Sequence, residues 1–233
     1  MENKNIIITV IIIIVLLLVG IIVMKEKEGK KEVKEDLLKI NYDIDGNESK
    51  LNYETENPVV ALYVKNYGSI VIELYPQYAE NTVNNFISLV KKGFYDNNTF
   101  HRLVPGFVLQ GGDPKGQGIG GPGYSIKGEF SENGYEKNTL SHEKGVVSMA
   151  RGVDEDSAGS QFFICIADAK SLDNKYAAFG KVLDGWDSIN KIVETEKVAD
   201  QTSGKLQNNL TIKKAIVDTK GKEYPEPETL EEK

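Results

Sequence analysis

Between residues 57 and 220 the apolar residues come in short runs, each cut off by turn chemistry. Most of these runs have the length of short strands. VVALYV (59–64) and SIVIEL (69–74) read as strands joined through Asn66-Tyr67-Gly68. Further apolar runs fall at 107–109, 145–149, 162–166, 178–182 and 210–217. Two segments follow a helical period instead. Val83, Phe86, Ile87 and Val90 fall at i, i+3, i+4 and i+7, behind Pro76 and ahead of Gly93. Ile189, Ile192 and Val193 mark a second helix over 187–193. Many of the 22 glycines lie between Gly106 and Gly159, so the middle of the chain turns tightly. Short strands, glycine turns and two helices favour a closed antiparallel barrel over a parallel α/β sheet.

The first segment obeys different rules. Residues 6–24 form nineteen positions without a charge. As a helix they would extend roughly 28 Å at about 1.5 Å per residue, close to the thickness of a bilayer core. Ile and Val occupy every face, so a buried amphipathic helix is disfavoured. A cleaved signal peptide would have a shorter apolar core and a small-residue cleavage site, and Met24-Lys25-Glu26 offers none. A retained single-pass anchor over residues 1–24 is the expectation. The absence of a cysteine just after the run excludes a lipid-modified anchor. An N-terminal signal-anchor with so short a head favours export of the downstream body, although the lysines after the run argue for the opposite side. Residues 25–56 then read as a charged, polar tether. Residues 57–220 make one domain. Residues 221–233 read as an acidic disordered tail, because EYPEPETLEEK cannot bury a core.

Composition removes several functions. A net charge of −7 argues against a nucleic-acid surface. One cysteine, Cys165, excludes an internal disulfide framework and reads as buried packing. With only His101, His142 and Cys165 as nitrogen or sulfur ligands, a tetrahedral zinc site would need a carboxylate. No metal and no cofactor are implied. Gly116, Gly118 and Gly121 satisfy G-x-G-x-x-G, but Pro122-Gly123 stands where the helix should begin, so they read as a surface loop.

Four blocks carry function: FHRLVPGFVLQGGD (100–113), KGVVSMA (144–150), GSQFFIC (159–165) and FGKV (179–182). In this order and spacing the chain resembles the cyclophilins, the barrel-shaped peptidyl-prolyl cis/trans isomerases. The resemblance covers residues 58–219. It implies a mainly-β fold, a closed eight-stranded antiparallel barrel capped by two helices, here preceded by an N-terminal transmembrane helix. It implies a monomer acting on proline-containing polypeptide clients.

The chemistry of such a site needs no nucleophile. An X–Pro amide rotates over a barrier of about 18–20 kcal/mol, because the nitrogen lone pair is delocalised into the carbonyl. A rigid, permanently charged guanidinium can donate to that nitrogen as the lone pair localises. An apolar slot can hold the pyrrolidine ring while the rest turns. A millionfold acceleration requires about 8 kcal/mol of preferential transition-state binding. By resemblance, Arg102 matches the catalytic arginine and Gln110 the polar residue that orients it. Phe107, Val108 and Phe163 match the walls of the proline slot, and Leu172 its floor. Ala150 and Arg151 match the stretch whose backbone pairs with the peptide, with Arg151 where many members have asparagine. Gln161 matches a peptide-contacting glutamine. Tyr176 stands where cyclosporin-sensitive members have histidine and Ser171 where they have tryptophan, so weak cyclosporin binding is expected. The loop at 152–158, with three acids, is one residue longer than the common pattern.

Blander readings stand beside these. His101 reads as a structural histidine bonded to backbone, and His142 as an exposed loop residue. The alternative function is a non-catalytic, membrane-anchored proline-peptide binding module or chaperone. A secreted hydrolase is a third reading, although no G-x-S-x-G elbow is present.

Overall fold

A computed structural model describes residues 42–45 and 48–231. The N-terminal apolar run lies outside them. Among the described residues no helix is long and apolar enough to cross a membrane.

The described residues open with a hairpin, β1 (Tyr42–Asp45) and β2 (Glu48–Leu51). Then come β3 (Val59–Val64), β4 (Gly68–Leu74) and helix α1 (Glu80–Lys91). β5 (Thr99–Val104) and β6 (Val108–Asp113) form the next hairpin, followed by β7 (Val146–Met149), β8 (Phe162–Cys165) and β9 (Ala178–Asp184). Helix α2 (Trp186–Thr195), β10 (Val198–Asp200) and the long β11 (Lys205–Asp218) finish the body. The strands run in the order β11-β3-β4-β9-β7-β8-β6-β5, and β5 pairs back onto β11. This is the expected closed eight-stranded antiparallel barrel, with two α-helices among the described residues. β10 hangs from β11 outside the ring. Closure leaves those eight strands without a free edge.

Alternation along the strands sorts two apolar populations. Phe162 and Ile164 of β8 and Leu109 of β6 enter the main core with Phe86 of α1, Tyr95 and Phe179. Phe86 lies 5.0 to 5.3 Å from the rings of Tyr95, Phe162 and Phe179, a packed aromatic centre. Val108, Phe163 and Cys165 alternate to the other face and form a separate cluster with Ala169. That outward cluster is what positions the candidate site.

β5 departs from strict alternation. Phe100 and Leu103 both enter the core although they lie three positions apart. The register against β6 slips at Phe100, which faces Gly111, and is regular again by Arg102, which faces Gln110. The irregularity turns Phe100 inward and still leaves Arg102 on the face of Gln110. It requires glycine opposite. A Cβ on Gly111 would lie 2.8 Å from the Phe100 ring, and one on Gly112, at φ +87°, 2.4 Å from the Ser160 carbonyl.

The body is larger than residues 57–220. Leu51 is buried with Val59, Ala61, Val71 and Ile216, and its N–H donates to Asp218 Oδ2 at 2.8 Å. The end of the expected tether is therefore part of the domain. The expected disordered tail is also corrected. Glu226 accepts from Ser88 Oγ at 2.8 Å and Lys92 Nζ at 2.7 Å, and the Glu228 N–H donates to Asn81 Oδ1. Leu230 and Ser125 exchange backbone hydrogen bonds of 2.7 and 3.1 Å. A segment too polar for a core is held by specific polar partners, and Pro225 and Pro227 reduce the entropy it loses.

Helix α1 lacks a local cap: Ala79 at its N-cap makes no side-chain bond. Glu129 does this work from far along the chain. Its buried carboxylate accepts from the N–H groups of Asn81 and Thr82 and from Thr82 Oγ1, at 3.1, 2.7 and 2.6 Å. Glu129→Ala is expected to cost about 2 kcal/mol of stability, and Glu129→Gln markedly less. Urea unfolding of the three proteins checks it; an unchanged midpoint for the alanine variant contradicts this account.

Candidate active site

The turn Val104-Pro105-Gly106-Phe107 joins β5 to β6. The Phe107 N–H donates to the Val104 carbonyl at 2.9 Å, and Gly106 sits at φ +72° behind Pro105, as a type II turn requires. This hairpin brings Arg102, Phe107, Val108 and Gln110 around one notch of about 160 Å³. Ala150 and Arg151 follow β7 on a second side, Phe163 rises from β8, and Leu172 and Tyr176 close the third. The Phe163 and Tyr176 rings meet edge to face at 5.7 Å. Nine of the ten expected site residues line this notch. The tenth, Gln161, lines an adjoining cavity of about 250 Å³ and reaches the notch through Gln110.

A single line of hydrogen bonds fixes the polar wall. Arg102 Nε donates to the Ser203 carbonyl at 2.7 Å, and Nη1 donates to Gln110 Oε1 at 3.1 Å. Gln110 Nε2 donates to Gln161 Oε1 at 3.1 Å, and Gln161 Nε2 to the Gly120 carbonyl at 2.9 Å. Each amide is thus oriented by its neighbour, and both ends are tied to backbone. Burial lowers the Arg102 pKa from its ordinary value, yet a guanidinium stays charged at neutral pH. Sequence reasoning has no signal for Ser203 or Gly120, since both act through their carbonyls.

Asp113 organises the loop beside this line. Its carboxylate accepts from the N–H groups of Lys115 and Gln117 at 2.7 and 2.8 Å, and from those of Gly118 and Ile119. Burial raises its pKa, but the hydrogen bonds outweigh burial and hold it below the ordinary value. The glycine pattern at 116–121 is therefore a carboxylate-centred loop lining the cleft. It is no phosphate cradle.

Arg151 is fixed rather than free. Its Nε donates to the Lys175 carbonyl at 3.0 Å, and Nη1 to the carbonyls of Gly152 and Val153. Its guanidinium carbon lies 5.0 Å from the Tyr176 ring centroid and 5.2 Å from that of Phe130. In the adjoining loop, Asp156 accepts from the Gly128 N–H and from Asn133 Nδ2.

Both histidine expectations need correction. His142 is buried, 1% exposed, because Asp173 and Ser148 satisfy its ring. Nδ1 lies 2.9 Å from Asp173 Oδ1 and Nε2 lies 3.0 Å from Ser148 Oγ, while the ring stacks behind Phe163 at 6.0 Å. The Ser–His–Asp line is no hydrolase, since Ser148 is completely buried inside β7 and no substrate reaches it. His101 is 5% exposed, and neither ring nitrogen has a partner among the described residues, so the expected bond to backbone is absent. Cys165 is buried as expected, with its thiol pushed up to about 12 by burial and the charges of Asp173 and Asp168.

Burial lowers the pKa of His142, against the opposing effect of Asp173. It lowers that of His101 too, where Asp113 opposes and Arg102 assists. Both rings are neutral in the native state, whereas the unfolded chain takes up protons near 6.5. The unfolded state then binds more protons, so stability present above 6.5 is lost as pH falls through that value towards the folded-state values. Asp113 and Asp173, held below 3.8, lose their contribution only in stronger acid. Unfolding free energy is expected to fall between about pH 7 and about pH 5, before the carboxylates titrate. A flat profile across that interval contradicts the assignment.

Known proteins resemble this chain in sequence and fold. The family model for cyclophilin-type peptidyl-prolyl cis-trans isomerases matches residues 59–217. Over 116 residues the chain is 50% identical to peptidyl-prolyl cis-trans isomerase B of Bacillus subtilis, a match covering 50% of this chain and 77% of that one. Over 129 residues it is 43% identical to a peptidyl-prolyl cis-trans isomerase of Helicobacter pylori, covering 54% and 76%. Among solved structures, a cyclophilin-type isomerase of Cryptosporidium parvum, crystallised in the presence of the dipeptide Ala-Pro, superposes with a TM-score of 0.58 at 30% identity, covering 69% of this chain and 98% of that one. The family match spans the whole barrel, from β3 to the end of β11, and this chain is a member of the cyclophilin-type peptidyl-prolyl cis-trans isomerases.

Proposed function

We propose that Arg102 is the group that lowers the rotational barrier, and that the body works as a membrane-tethered isomerase on proline-containing client chains. The observation that carries the first part is the guanidinium held at the rim of an apolar notch by Ser203 and Gln110. The proline ring enters between Phe107, Val108, Phe163 and Leu172, with Tyr176 at the rim. Gln110 and Gln161 hold the arginine's plane and present polar atoms to the peptide. The Ala150 N–H is already used by the Gln161 carbonyl at 2.9 Å, so strand-like pairing with the client falls to the backbone of Arg151. As the amide twists, its nitrogen becomes pyramidal and accepts a hydrogen bond from Arg102. The planar ground state offers no lone pair there. The interaction therefore strengthens only in the transition state, as catalysis demands. No proton is transferred, and none of the neutral histidines is required.

Arg102→Ala is expected to lower kcat/KM on a short X–Pro peptide about 100-fold to 1,000-fold while leaving the fold intact. Gln110→Ala loosens the guanidinium without removing it, and a loss of about ten-fold is expected. A proline-isomer assay with circular dichroism as a folding control reads both. Equal rates for wild type and Arg102→Ala would reject the arginine's role and favour the binding-module reading. The same notch lacks a tryptophan, because Ser171 is exposed and outside its lining. This supports weak cyclosporin binding.

The tether rests on the uncharged stretch at residues 6–24. The full chain is expected to sediment with membranes, and a version starting at residue 25 to remain soluble. Protease added to intact cells is expected to digest the body. A soluble full-length chain rejects the anchor, and a protected body places the domain on the cytoplasmic side.

A further inference from the structure

On the far side of Arg102 from the proline notch lies a second hollow of about 330 Å³, lined among others by His101, Gln117, Ser203 and Lys205. It shares Arg102 and Gln110 with the notch, so a peptide bound at one runs past the other. Three observations give it a chemistry. First, Lys205 and Arg102 stand directly opposite each other in the β11–β5 pairing. Like charges so placed repel, and neither forms a salt bridge with a carboxylate among the described residues. Second, the carboxylates that come near form no ion pair with either cation and are oriented by hydrogen bonds of their own. Asp200, across from Lys205 on β10, accepts from Ser203 Oγ and the Thr202 N–H, and Asp113 accepts from its own loop. Third, His101 forms part of the lining and is about nineteen-twentieths buried, with both ring nitrogens unpartnered. A neutral imidazole carries one N–H, and a buried donor without an acceptor is costly.

From this we infer that the hollow is a specificity subsite for an acidic side chain of the client, located within about three residues of the proline. The two hollows share Arg102 and Gln110 in their walls, and an extended chain advances about 3.3 Å per residue, so a few residues carry it from one to the other. The carboxylate lies between Lys205 and the edge of Arg102 that Ser203 and Gln110 leave free. The inference rests on the isomerase reading of the notch, and adds a preference in a chain whose net charge of −7 would otherwise discourage acidic clients.

The test is a set of peptides with Glu, Gln or Lys at each position from three before to three after the proline. Wild type, Lys205→Gln and Lys205→Glu are assayed at low salt, for binding by calorimetry and for turnover. In wild type, Glu at one position is expected to lower Kd and KM about three-fold to five-fold relative to Gln, as for a partly exposed charge pair. Lys205→Gln is expected to erase the preference and Lys205→Glu to reverse it towards Lys. Equal binding of the Glu and Gln peptides at every position overturns the subsite, as does a Glu preference that survives in Lys205→Glu. Failure to turn over the Gln peptides would instead count against the isomerase reading, while the calorimetric comparison still decides the subsite.

Discussion

The proposed role of Arg102 demands a guanidinium that cannot turn away, and much of the molecule bears on that constraint. Its Nε is tied to the Ser203 carbonyl, just before β11, and its Nη1 to Gln110 on β6. β5, which carries the arginine, joins the two edges of the sheet by pairing with both β6 and β11. Barrel closure and arginine placement are therefore one event. If the β5–β11 seam opened, the Ser203 anchor would go with it. The amides of Gln110 and Gln161 extend the restraint to the Gly120 carbonyl in the Asp113-centred loop. A donor held this way loses little entropy when the amide nitrogen begins to accept.

How much of this is legible in the sequence depends on how far apart the cooperating residues lie. The strand pair at 59–74 and the α1 stripe are local patterns, and both emerge where periodicity puts them. The notch residues are legible because the blocks at 100–113 and 159–165 fix them at constant spacing. β5 does not read as a strand because Phe100 and Leu103, three apart, break the period of two on which that reading relies. The hairpin β1–β2 escapes because YDID alternates over only four residues and its partner ESKL carries a single apolar residue, too little for a period of two to register. His142 looks exposed because its loop is polar, but Asp173, 31 residues on, supplies the bond that lets it be buried. The Glu129 cap and the ordered tail have the same origin. Each depends on a partner 47 or more residues away, which composition cannot register.

Arg151 shows how a departure from the family pattern can leave the notch lining in place. By resemblance many members carry asparagine there, a short side chain beside the peptide. Here the longer side chain turns back onto its own loop, bonding the carbonyls of Lys175, Gly152 and Val153 and lying beside Phe130 and Tyr176. Its donors are thereby engaged within the protein, which fits the proposed pairing of a client with the backbone at this position. The same contact braces Tyr176, which stands edge-on to Phe163, and His142 backs Phe163 from behind. The aromatic wall is thus held from both sides, by a cation on its outer face and a neutral imidazole on its inner one. A wall so restrained keeps the notch open without substrate, and in the proposed mechanism a preformed notch beside a fixed cation is what lets an amide twist at reduced cost.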